Sequence, residues 1–192
     1  MNDLFTLIRK SIAIDHETES EISSHLSLQK VSKGRILVSV GDKTDKVYFL
    51  KNGLVREYYN LWERKEEITS QIVGENTFFY STLAYLSGKP SERQVETLEN
   101  SELISIRKES LFELCNRFPP LGLFIQKMQE TALINFEKRL TILRLRSPLE
   151  KLEVFEKIHP EFSNRLPLGI MASYLGIAPQ TLSTTRSKRR KD

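Results

Sequence analysis

The residues with the most chemistry in this 192-residue chain gather near its C-terminal end. Gln180, Thr181, Ser183 and Thr184 are followed by Arg186, Lys188, Arg189, Arg190 and Lys191. Short polar side chains can reach base edges and cations can reach phosphates, which is the combination a helix needs to read a nucleic-acid groove. The preceding residues set the geometry. Ile170, Met171, Tyr174 and Leu175 give a first short helix an apolar face, with Ala172 small where a second helix must cross closely. Gly176 stands just past that helix, where a left-handed backbone costs glycine least. Pro179 suits the first turn of a second helix, since its φ is preset and its missing N–H has no partner there. Leu182 turns inward one turn later. The spacing predicts a helix-turn-helix over residues 168–186. A helical hairpin with a solvated basic tail is the alternative.

Charge agrees with a polyanion partner. Residues 138–192 carry 12 Lys/Arg against 5 Asp/Glu, while residues 1–137 carry 17 against 20. The basic excess therefore belongs to the segment that holds the two short helices. Enzyme chemistry finds no support: there is no nucleophile–base pair and no phosphate loop. His16, His25 and His159 share no metal-ligand spacing, and no catalytic residue, metal or cofactor is expected. The single cysteine, Cys115, excludes an internal disulfide and a four-cysteine cluster. With no bilayer-length apolar run and no signal-peptide pattern, a cytoplasmic protein without a membrane partner is expected.

The elements that must position these residues follow in chain order. Residues 4–26 read as helical, with Asp15 as a cap. From Leu28 to Ile106, about eight short β-rich runs punctuated by glycines predict a β-roll or sandwich. Asn52-Gly53 between Val47–Leu50 and Leu54–Arg56 reads as a hairpin turn, and residues 77–86 as a short inserted helix. Residues 108–116 predict another helix, stopped by Pro119-Pro120. Residues 121–146 are the longest helical stretch. Leu121, Ile125, Met128, Ala132, Phe136, Leu140 and Leu143 form one apolar face, and Leu123, Phe124, Ile134, Ile142 and Leu145 form another. Two apolar faces predict a helix held between its own domain and a partner, hence a homodimer. The alternative is a central helix buried in a monomer. Ser147-Pro148 reads as a fresh N-cap and first turn. The fold class is α+β: a β-roll with flanking helices over 1–119, a central dimerisation helix over 120–146 and an all-α helix-turn-helix domain over 147–192.

This order resembles the cyclic-AMP-receptor/FNR (Crp/Fnr) family of transcription regulators. Residues 31–37, Val40-Gly41-Asp42 and residues 47–56 look like that family's glycine-punctuated opening strands, and 168–186 like its DNA-binding motif. The resemblance implies a cyclic-nucleotide-binding-like β-roll, double-stranded DNA as ligand and RNA polymerase as a further partner. It places base contacts on Gln180, Ser183 and Thr184, and phosphate contacts on Arg186, Lys188, Arg189 and Arg190. In the family's nucleotide cassette a Gly-Glu pair and an Arg-Ser pair hold ribose and phosphate. Tyr80-Ser81 and Ser91-Glu92 stand there instead, with Arg93 two positions on, along the same strand face. Cyclic-AMP binding is therefore not expected, and the effector is left open. Phe79, Tyr80, Leu83 and Tyr85 line a different pocket or are simply core. A minimal DNA-binding domain ending without a β-hairpin wing is expected. The alternative function is an effector-free protein-interaction module.

Overall fold

The computed structural model describes residues 2–61, 63 and 66–189. Two helices, α1 (Asn2–Ser11) and α2 (His16–Ser24), precede eight strands: β1 (Ser27–Val31), β2 (Ile36–Val38), β3 (Lys46–Asn52), β4 (Val55–Leu61), β5 (Glu66–Val73), β6 (Thr77–Phe79), β7 (Gln94–Thr97) and β8 (Ser101–Arg107). Helix α3 (Thr82–Ser87) lies between β6 and β7, and α4 (Lys108–Arg117) follows β8. Then come α5 (Pro119–Arg144), α6 (Pro148–Ile158), a 3-10 turn (Pro160–Phe162), α7 (Leu168–Leu175) and α8 (Pro179–Arg189). The strands form two four-stranded sheets, ordered β1-β8-β3-β6 and β2-β7-β4-β5. Met1–Glu57 with Ile72–Glu130 make one compact unit, and Tyr58–Gln71 with Thr131–Asp192 a second. The division falls within α5 and takes part of β4 and β5 into the second unit, unlike the predicted boundaries at 119 and 146.

The first unit is organised by period-two burial on β3 and β8. Val47 and Phe49, with Ile104 and Ile106, pack against Leu4, Phe5 and Ile8 of α1, Leu114 of α4, and Leu121 and Phe124 of α5. Tyr48 and Leu50, with Leu103, face the other way and meet Val38, Val55, Val73, Phe79 and Val95 between the sheets. Successive strand side chains point to opposite faces, so one strand serves two cores.

The structure differs from three expectations. Thr77–Phe79 is a strand, and the helix starts only at Thr82. The reason is cross-strand pairing: Phe79 stacks on Tyr48 at 5.2 Å and Phe78 meets Phe49 at 5.0 Å, on opposite faces. Asn52-Gly53 does turn the chain, but it joins strands of different sheets and closes no paired hairpin. Pro119-Pro120 opens α5 rather than preceding it, since proline is well suited to a first turn. Asp15 caps α2 as expected, accepting from the Thr18 N–H at 2.8 Å.

The sheet-switching turn is tight. Gly53 has φ +113°, and a Cβ there would lie 2.1 Å from Ser101 Oγ and 2.9 Å from Ser101 Cα. Gly53→Ala is expected to cost at least about 3 kcal/mol, combining a forced backbone with overpacking. Urea unfolding followed by circular dichroism checks this.

Candidate nucleic-acid interface and sensor pocket

In the second unit α6 begins at the predicted cap: Ser147 accepts from the Glu150 N–H at 3.4 Å, with Pro148 in the first turn. Leu152, Phe155, Phe162, Leu166, Met171, Ala172, Tyr174, Leu175 and Leu182 are buried. Gly176 ends α7 with φ 65°, and Ile177 N–H returns to Ala172 O at 3.1 Å, closing a Schellman turn. Buried Lys151 donates from Nζ to Leu175 O at 2.9 Å, so a cation meets the carbonyl end of α7. Nothing in the sequence singles this lysine out.

Burial of Leu182 fixes the outward face of α8. Gln180, Ser183, Thr184, Ser187 and Lys188 are all exposed, at i, i+3, i+4, i+7 and i+8, and so form one stripe. Thr181 is half-buried beside it. Thr184 and Ser187 hydroxyls donate to Gln180 O and Ser183 O, leaving their oxygens as acceptors. Gln180 keeps its amide exposed near the helix N-terminus.

The predicted phosphate contacts divide. Arg186 turns inward and donates from Nη2 to Ser163 O at 3.1 Å and Met171 Sδ at 2.9 Å, so it braces the loop before α7 against that helix. Arg189 pairs with Glu156 of α6. Lys188 is exposed on the stripe. Arg190 lies outside the described residues.

Side chains of this unit also cover the edge of β5. Ser173 Oγ of α7 accepts from the Thr69 N–H and donates to Glu67 O, both at 2.9 Å. Arg139 of α5 donates to Thr69 O at 2.7 Å and to Ser70 O, with its guanidinium 4.2 Å from the Tyr174 ring centroid. Sequence reasoning missed Ser173 and Arg139, whose partners lie some 70 to 100 positions away.

On α5 the predicted dimer face is shared out. Leu121 is buried and Ile125 and Met128 are partly buried in the chain's own core, which corrects their assignment to a partner. Ala132, Phe136 and Leu143 are exposed and Leu140 is half-buried. Leu133 and Ile134 add to the exposed apolar surface of the middle turns.

The residues predicted to line a sensor pocket are dispersed. Phe79 lies between the sheets, while Tyr80 meets Tyr85 in a tilted ring pair at 4.5 Å beside the helix-side core. Leu83 and Glu92 are exposed. Ser81 and Ser91, both buried, hydrogen-bond to each other at 3.0 Å, and Ser91 also donates to Arg93 O. Arg93 donates from Nη1 to Glu57 Oε2 at 2.9 Å, and that carboxylate is only 5% exposed. The position nearest to a phosphate-binding arginine is thus neutralised from within. An apolar groove of about 390 Å³ lies elsewhere, lined by Tyr85, Leu111, Phe112, Cys115 and Ile125, with Lys108 and Glu109 at its polar side. Burial pushes the Cys115 thiol above its ordinary pKa, away from thiolate reactivity.

Arg93→Gln is expected to destabilise the protein by about 2–3 kcal/mol, because it leaves the buried Glu57 without that compensating charge. Adding Glu57→Gln should recover part of the loss. Denaturant titration of the two variants checks this. A second expectation concerns His159, which stacks on Phe162 at 5.1 Å. Burial holds it below the ordinary value of 6.5, against the opposing pull of Glu161, while Lys138 pushes it the same way as burial. The unfolded chain therefore takes up this proton first. The stability that His159 contributes is present above pH 6.5 and lost as pH falls below it. His159→Gln should flatten the dependence of melting temperature on pH between 7.5 and 5.5.

Residues 28–118 match the family of the cyclic nucleotide-binding domain. The fumarate and nitrate reduction regulatory proteins of Vibrio cholerae and Yersinia pestis are 22% and 23% identical over 165 and 164 residues. Each alignment takes 80% of this chain and 64% of the relative, so the chain spans less than two thirds of their length. FixK2 from Bradyrhizobium japonicum superposes with a TM-score of 0.71 at 16% identity, covering 86% of this chain and 85% of that one. The regulator CLP of Xanthomonas campestris, described as c-di-GMP responsive, superposes with a TM-score of 0.72 at 15% identity, covering 93% of both. These superpositions show that the fold is shared. By these matches, residues 28–118 are similar to the cyclic nucleotide-binding domain, and the chain shares its fold with these solved regulators.

Proposed function

We propose that the chain is a homodimeric, sequence-specific DNA-binding transcription regulator whose β-roll does not respond to cyclic AMP. The observation that carries the reading is the single exposed stripe of Gln180, Ser183, Thr184, Ser187 and Lys188 on α8. It follows a glycine-terminated supporting helix and lies in a basic segment. Gln180 pairs bidentately with an adenine edge, and the hydroxyl residues accept from bases or waters with less discrimination. Lys188, together with Arg190 and Lys191, supplies phosphate contacts, while Arg186 and Arg189 hold α8 in place. Exposed Leu133, Ile134 and Phe136 support pairing through the middle of α5, which sets two recognition helices about one turn of DNA apart. RNA polymerase is the further partner this reading implies, and its place of action is the cytoplasm.

Cyclic AMP is disfavoured on electrostatic grounds. A buried phosphate needs donors and positive charge. Here Ser81 and Ser91 satisfy each other, and Arg93 is held by Glu57.

Selection of DNA from a random pool by the purified protein, with and without cyclic AMP, tests the reading. A palindromic motif that the nucleotide leaves unchanged is expected. Gln180→Ala should relax one position of each half-site, at about 1–3 kcal/mol of lost discrimination. Lys188→Ala should weaken all sites alike and lower the salt slope by about one per protomer. A motif that appears only with cyclic AMP would overturn the pocket reading, and no enrichment at all would favour the protein-interaction module.

A further inference from the structure

β5 is the outer strand of its sheet, and within the second unit its edge is covered by side chains. An uncovered strand edge leaves N–H and C=O groups to be satisfied. Ser173 satisfies Thr69 N–H and Glu67 O, and Arg139 satisfies Thr69 O and Ser70 O. Ser173 belongs to α7, the helix on which α8 is packed. One hydroxyl thus ties the supporting helix of the helix-turn-helix to the strand backbone.

The same contact contains a defect. Thr69 is fully buried, and its Oγ1 has no hydrogen-bond partner. A buried hydroxyl without a partner carries a desolvation penalty that disappears when it meets water. The joint is therefore specific in its backbone bonds and weakened at its centre. β5 continues through Ile72 and Val73 into the first unit, where Val73 lies between the sheets. A change in the roll has a covalent route to the joint.

We propose that Ser173 is a positioning residue that catches α7–α8 on β5 in one orientation, and that the Thr69 hydroxyl keeps this catch releasable. The docked and released forms are then close in free energy, and the recognition helices are pre-set for DNA only in the docked form. The output of the catch rests on the DNA-binding reading; its geometry does not.

Amide hydrogen exchange on the full chain tests it, with two mild substitutions that act in opposite directions. Ser173→Ala removes the catch and should speed exchange of the Thr69 amide by about tenfold. Thr69→Val keeps the shape, removes the unsatisfied hydroxyl, and should slow that exchange by a similar factor. DNA affinity should follow, weaker in Ser173→Ala and tighter in Thr69→Val, with no change in base preference. A merely structural loss would not give opposite signs. Unchanged Thr69 exchange in both variants, or shifts of the same sign, would overturn the catch. Shifted exchange with wild-type DNA affinity in both would overturn its positioning role. If the wild-type chain binds no DNA while exchange shifts as stated, the DNA reading fails and the catch stands.

Discussion

The β-roll depends on burying both faces of one strand. Val47 and Phe49 must find helices, and Tyr48 and Leu50 must find a second sheet. Shifting β3 by one residue would exchange the two sets and leave neither core filled. That single register decides where α1, α4 and the start of α5 pack. It also draws Phe78 and Phe79 into a strand, because each completes an aromatic pair with β3. The inserted helix is then left with only the short stretch from Thr82 to Ser87.

The same filling governs what the roll can hold. Between the sheets, Tyr48, Phe79 and the aliphatic side chains leave a packed interior. Where the resemblance places the phosphate contacts, the polar groups are closed on each other, Ser81 on Ser91 and Arg93 on Glu57. An arginine bound to a carboxylate this deeply buried gives up more than it gains by turning to another anion, since the carboxylate would lose that compensating charge in a low-dielectric site. Under the proposed function, the fold of a nucleotide-binding domain is kept while its charges serve intramolecular pairs.

Local signals were readable in the sequence, and long-range pairings were not. Gly176, Pro179, Ser147-Pro148 and Asp15 act through neighbours within a turn or two, and each stands where its residue type implies. The strand count also follows from local alternation. By contrast, Asn52-Gly53 has the chemistry of a hairpin turn in either topology, and only the pairing of β4 with β5 and β7 reveals that the chain changes sheets. Arg186 looks from its spacing like a phosphate contact, but Ser163 O and Met171 Sδ lie within its reach on elements that the sequence cannot place. The α5 stripe fails for a related reason: periodicity identifies apolar faces, but it does not say whether the chain's own core or a partner covers each turn.

Intramolecular use of cations has a consequence for recognition. Lys151 holds the end of α7, Arg186 braces α7 against the preceding loop, and Arg189 ties α8 to α6. Much of the local positive charge thus goes into fixing α8 rather than into facing solvent. Hydroxyls at positions 184 and 187 are likewise turned to their own helix backbone and keep only acceptor capacity. Under the proposed DNA-binding role, discrimination among bases falls mainly on Gln180, whose amide both donates and accepts at the helix N-terminus. A helix equipped in this way gains selectivity from being held rigidly at the right angle, because one bidentate contact tolerates little misplacement. Orientation of α7–α8 is then as much a determinant of binding as the residues on the stripe.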